Sequence, residues 1–103
     1  MKSNQLRINN YMADGDPTAN STEAQAAVTA ALDSVTVINN IVANNEAVAE
    51  QTTAEKADDA DRNYRHIEIM MDKSWFSGTA STSQKSTFNS AISAGKAYWN
   101  ANK

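Results

Sequence analysis

His66 is the single histidine of the chain, set near Arg62 and Arg65, with Arg7 the only other arginine and no cysteine or second imidazole to join it. Acid–base catalysis needs a partner within hydrogen-bond reach, and a metal site needs further ligands at fixed spacing. A lone imidazole on the Ile67/Met70 side of a helix therefore reads as a packing or hydrogen-bonding residue. Asp14, Asp16, Thr18 and Asn20 alternate like the first ligands of a calcium loop, but Ala19 stands where that loop needs glycine. Glu23 also arrives two residues too early to be its bidentate ligand. Glu55, Asp58, Asp59 and Asp61 could offer oxygens to a divalent ion, yet the interleaved arginines make a solvated salt-bridge face the expected reading. There is no glycine loop to cradle phosphate and no nucleophile elbow. The expectation is a protein that is not an enzyme, with no catalytic residue, no metal, no cofactor and no small-molecule substrate.

Composition narrows the partners. Lys+Arg 9 against Asp+Glu 12 leaves a formal charge of -3, without the clustered cations of a backbone-driven nucleic-acid binder. No window is expected to reach the roughly 18 apolar residues of a membrane span, and residues 1–11 hold no apolar core of signal-peptide length. A soluble, non-secreted chain that avoids nucleic acid and membrane is expected. Leucine occurs only at Leu6 and Leu32, while alanine, asparagine, serine and threonine dominate. Helices lined with alanine and valine approach closely but bury little each, so the core is expected to be completed against copies of the chain or a partner.

The elements that would position these residues are helical. Val28, Leu32, Val35, Ile38 and Val42 recur at three- and four-residue steps, and Ala57, Ala60, Tyr64, Ile67 and Met71 continue the pattern. The predicted fold is all-α: an extended arm over 1–20, one long or broken helix over about 21–76, and a C-terminal helical hairpin. Oxygen acceptors three residues ahead of an acid or amide, Asn20 with Glu23 and Thr22 with Gln25, start the first helix near Ser21. The heptad seam slips by one residue between its two halves, and Thr52 with Glu55 offers a second capping box there, which places a break near 50–54. Val37, Ile41 and Val48 add a second apolar edge, so the first helix, 21–52, reads as the oligomerisation and partner-binding element. Its self-association residues are Val28, Leu32, Val35, Ile38, Val42 and Asn45, the last either a polar residue fixing register or an asparagine at the edge facing water.

Asp58 with Arg62 and Asp61 with Arg65 are acid-before-base pairs on the exposed face of the next helix. Trp75-Phe76 and a left-handed Gly78 should end it, and Ser81 with Gln84 should cap the last helix. Counting outward from a turn near Thr79 pairs Met71 with Phe88, Ile67 with Ile92, Tyr64 with Gly95 and Ala60 with Trp99, and Trp75 caps this hairpin over 53–103. The aromatics Trp75, Phe76, Tyr98 and Trp99 gather at two helix ends, as core filling or as a partner-binding patch. Leu6, Ile8 and Tyr11 could make the arm a docking segment.

The stretch Arg62-Asn63-Tyr64-Arg65-His66-Ile67-Glu68-Ile69-Met70, then Trp75-Phe76, then Phe88 through Ala94-Gly95-Lys96-Ala97-Tyr98, resembles the C-terminal module of small virion structural proteins of tailed bacteriophages. The likeness covers the last 40 or so residues and consists of packing residues at helical spacing. It implies a component of a phage head, neck, tail or fibre, located in the virion, whose partners are itself as a homo-oligomer, with coiled-coil contacts, and other virion proteins. The alternative expectation is a small acidic regulatory protein that binds and inhibits a host or phage enzyme.

Overall fold

The computed structural model describes residues 15–103. The chain forms α1 (Thr22–Ala43), a 3₁₀ turn (Glu46–Val48), α2 (Thr53–Met71), a one-turn helix α3 (Ser74–Ser77) and α4 (Thr82–Asn102). Among the described residues there is no strand, so the fold is all-α. Leu6, Ile8 and Tyr11 lie outside the described residues.

Each long helix starts on a side-chain cap, which satisfies backbone N–H groups that the helix itself leaves unpaired. Ser21, not Asn20, caps α1: its Oγ accepts from the Ala24 N–H at 3.1 Å, while Asn20 takes a left-handed φ of 68°. Thr52 with Glu55 and Ser81 with Gln84 form complete capping boxes at the starts of α2 and α4. The break is at 44–52, wider and earlier than the seam slip implied. Asn44 ends α1 at φ 52°, where its N–H reaches back to the carbonyls of Asn40 and Ile41. Asparagine is one of the few residues that tolerates this conformation. Asn45 is exposed rather than a polar core residue, its side chain accepting from the Ala47 N–H at 3.0 Å and donating to Asn40 Oδ1 at 2.9 Å.

The α2 helix stops at Met71, short of Trp75. A continuous helix would turn the adjacent side chains of Trp75 and Phe76 about 100° apart, so one of them would leave the core. The extended backbone of Lys73 redirects the chain instead, and both rings are buried. Ser77 Oγ donates to the Met71 carbonyl at 2.7 Å, satisfying an acceptor stranded by that break. Gly78 is right-handed at φ -73°, not the left-handed cap its position suggested.

The three long helices run up, down and up. Asn20 N–H meets Thr79 Oγ1 at 2.8 Å at one end of α1, and Lys56 Nζ meets Asn44 Oδ1 at 2.9 Å at the other. α2 and α4 form the expected hairpin, with Phe76 against Phe88 near the turn and Lys96 paired to Glu68 at 3.3 Å further out. Tyr64 faces Gly95 in the predicted register. A Cβ on Gly95 would lie 2.8 Å from Tyr64 Cβ, 3.3 Å from Ile38 Cδ1 and 3.4 Å from the Ala60 carbonyl. Ala60 groups with Ile41 and Val48, a cluster that Tyr98 packs against, whereas Trp99 packs on the larger cluster. Met70, rather than Met71, supplies the buried thioether; Met71 and Ile92 are half-buried at the cluster's edge.

Glycine at 95 is therefore a contact, not a weakness. Gly95→Leu should lower stability in urea unfolding by roughly 1 to 3 kcal/mol, because the nearest atom is a Cβ tied to the α2 backbone. Gly95→Ala should also fail to stabilise, although alanine is favoured by about 1 kcal/mol in a helix interior. A raised unfolding midpoint in either variant would mean α2 and α4 do not meet here.

The stripe on α1 is spent inside the chain. Val28, Val35 and Ile38 are buried in one cluster with Tyr64, Ile67, Phe76 and Phe88, and Leu32 is packed half-buried at its edge. The wide arc sits between neighbours, but those neighbours are α2 and α4 of the same chain. Residues 21–52 and 53–103 thus share one core, and the boundary between them divides no packing unit. Of the six self-association residues, Val42 and Asn45 remain on the surface. By length and composition alone α1 is long and apolar enough to cross a membrane, contrary to the expectation from the sequence. Its run of alanine and valine raises the average, and its inward face is buried in the bundle.

Candidate functional site

On one side of the bundle α1, α2 and α3 leave a groove of about 700 Å³. Its apolar surface comes from Ala27 and Ala30 on α1, Ile69 and Met70 on α2, and Trp75 on α3. Ala27, Met70 and Trp75 are buried there, but Ile69 keeps 55% of its surface exposed, unusual for a large hydrophobic in this chain. Helical spacing sets the rim: Asp58, Asp61, Arg62, Arg65 and His66 stand on successive turns of α2, and Lys73 follows at its end.

The rim is ordered by charge. Acids lie toward the start of α2 and cations toward its end. Arg65 Nε donates to Asp61 Oδ1 at 2.6 Å, as the four-residue spacing predicts. Arg62 pairs with Asp59 rather than Asp58, one residue nearer, and Asp59 also accepts from Gln51 Nε2 at 2.9 Å. These carboxylates are engaged with nitrogen donors, and among the described residues no group of three or more His, Asp or Glu is placed to hold a metal ion. Both ion pairs are exposed on the arginine side, where solvent screens them, so they orient the rim more than they stabilise the fold.

His66 sits at this rim, on the solvent side, with its pKa lowered by partial desolvation. The sign follows from linkage. The folded chain disfavours the imidazolium, so stability should be full above the ordinary histidine value of about 6.5 and fall as pH drops through it toward the lower folded value. His66→Gln should keep the fold and remove this component, leaving a smaller loss of unfolding midpoint between neutral and mildly acidic pH than the unaltered chain shows. Equal losses in the two proteins would show that His66 is not desolvated.

Of the residues singled out from the sequence, the structure brings Tyr64, Ile67, Trp75, Phe88 and Gly95 together as core and sets His66, Arg62 and Arg65 on one rim. Phe76, fully buried at the joint between α2 and α4, was not separated from its aromatic neighbours by any sequence signal. Ala27, Ala30 and Ile69 were missed as groove residues, because α1 and α2 are adjacent only in the folded chain. The aromatic pairs near the ends divide: Trp75 and Phe76 are core, while Tyr98 and Trp99 are half-buried. No family model, curated protein or solved structure matches the chain.

Proposed function

We propose that this protein is a structural component of a tailed-bacteriophage virion and works through protein–protein contacts. The groove carries the reading: an open, apolar surface rimmed by charges of both signs, among them the Asp61–Arg65 pair, suits a polypeptide segment. Its exposed Ile69 beside Met70 and Trp75 offers anchoring area, and its rim sets orientation. The virion assignment itself rests on the resemblance over Arg62 to Tyr98, whose packing residues Tyr64, Ile67, Phe76, Phe88 and Ala91 lie in one core. Val42, half-exposed on α1, is the apolar residue of the original stripe still free to meet a second copy. Mass spectrometry of purified particles, with copies per particle counted, tests the proposal. Several copies per particle are expected; a chain confined to the infected-cell lysate and missing from particles would overturn it.

A further inference from the structure

Resting on the reading of the groove as a polypeptide-binding surface, we propose that its occupant is an acidic amphipathic helix of a partner protein, with carboxylates over Arg62, Arg65 and Lys73 and apolar side chains against Ile69.

The groove has the form that a helix needs. Its lining comes from α1, α2 and α3, and among the described residues that line it none belongs to α4, so it opens on the side of the α1–α2 pair that α4 leaves uncovered. A fourth helix laid there would pack on both, the helix-in-groove mode of recognition. Arg62, Arg65, Ile69 and Lys73 follow at three- and four-residue steps, a stripe of about 16 Å that matches three turns of a partner helix. Across the groove from Ile69 stand the small residues Ala27 and Ala30, which leave room for a large partner side chain over Met70 and Trp75.

Toward the α3 end the charge presented is positive. The side chains of Arg62 and Arg65 are 71% and 59% exposed, whereas those of their partners Asp59 and Asp61 are each 24% exposed, so guanidinium groups cover the carboxylates. Arg62 bonds its acid through one Nη and Arg65 through Nε, so most of the five N–H donors on each remain for a second carboxylate. Lys73 has no ion pair among the described residues. In a chain of net charge -3, three cations on one groove are a local reversal, and they oppose a basic segment while favouring an acidic one. Asp58 fixes the polarity. It is exposed at the far end, also without an ion pair among the described residues, so the partner's carboxylates lie toward α3 and stop short of it.

The test titrates the full isotope-labelled chain with a synthetic amphipathic peptide of about 18 residues, leucine on one face and glutamate beside it, and with its lysine-for-glutamate counterpart. The glutamate peptide should shift the amide signals of Ala27, Ala30 and residues 62–73, and leave those of 86–90, on the α1–α4 side, in place. It should bind about tenfold tighter than the lysine peptide at low salt and lose that advantage at high salt. Arg65→Gln with Lys73→Gln should weaken it about tenfold, and Ile69→Asp by a similar factor, with unchanged circular dichroism. Equal or tighter binding by the lysine peptide would overturn the acidic partner and leave the groove a polypeptide surface. Unmoved signals with both peptides would overturn both readings, with the particle assay above unaffected. Groove signals that move on dilution of the free chain would place a second copy there and overturn the proposal.

Discussion

Ile38→Asp should unfold this protein, not dissociate an assembly of it. Ile38 is fully buried, and its Cδ1 lies 3.3 Å from the position a Cβ on Gly95 would take, so it reaches across from α1 to the α2–α4 contact. Removing the aliphatic side chain costs roughly 2 to 5 kcal/mol, and leaving a carboxylate in its place adds the cost of burying an unpaired polar group. That sum is a large part of the roughly 5 to 15 kcal/mol that holds a domain of this size folded. The loss also has a pH signature. A buried carboxyl takes up a proton more readily than one in the unfolded chain, so the electrostatic part of the penalty is present above about pH 4 and fades below it. Circular dichroism and sedimentation together decide the matter. Lost helix signal is expected; a fully helical variant of lower oligomer mass would mean Ile38 faces a partner. Val42→Asp is the companion measurement. Val42 is 51% exposed, so the fold should change by no more than about 0.5 kcal/mol, and any self-association through α1 should weaken.

The second large effect is expected at the joint. Phe76→Ala should lower the urea midpoint by an amount equivalent to roughly 3 to 5 kcal/mol, since Phe76 is fully buried. Its ring lies 5.5 Å from that of Phe88 and meets Trp75 edge-on at 6.2 Å, so two aromatic contacts vanish with it. Because Phe76 and Phe88 share one cavity, the double variant with Phe88→Ala should lose less than the sum of the two single losses. Strict additivity, or a loss under about 1 kcal/mol for Phe76→Ala alone, would place the ring outside the core described here.

The sequence by itself determined what depends on neighbours along the chain. Helical period, the capping boxes at Thr52 and Ser81, the helix start at Ser21 and the Asp61–Arg65 pair all act within four residues, and all are found. The Tyr64–Gly95 register was also legible, because a short turn forces two helices antiparallel and counting outward from it aligns large against small. Only the tertiary structure decided what covers the stripe on α1. A row of Val28, Val35 and Ile38 is equally apolar whether it faces another copy or the same chain, since the hydrophobic effect carries no address. The left-handed Asn44 settled it by ending α1 and sending α2 back along it, and nothing in its neighbours distinguishes it from Asn45. Gly78 shows the same limit in reverse, as glycine permits a left-handed cap without requiring one. The groove belongs wholly to the folded state. Ala27 and Ala30 meet Ile69, Met70 and Trp75 across a separation of some forty residues, and that juxtaposition exists only once α1 and α2 have packed.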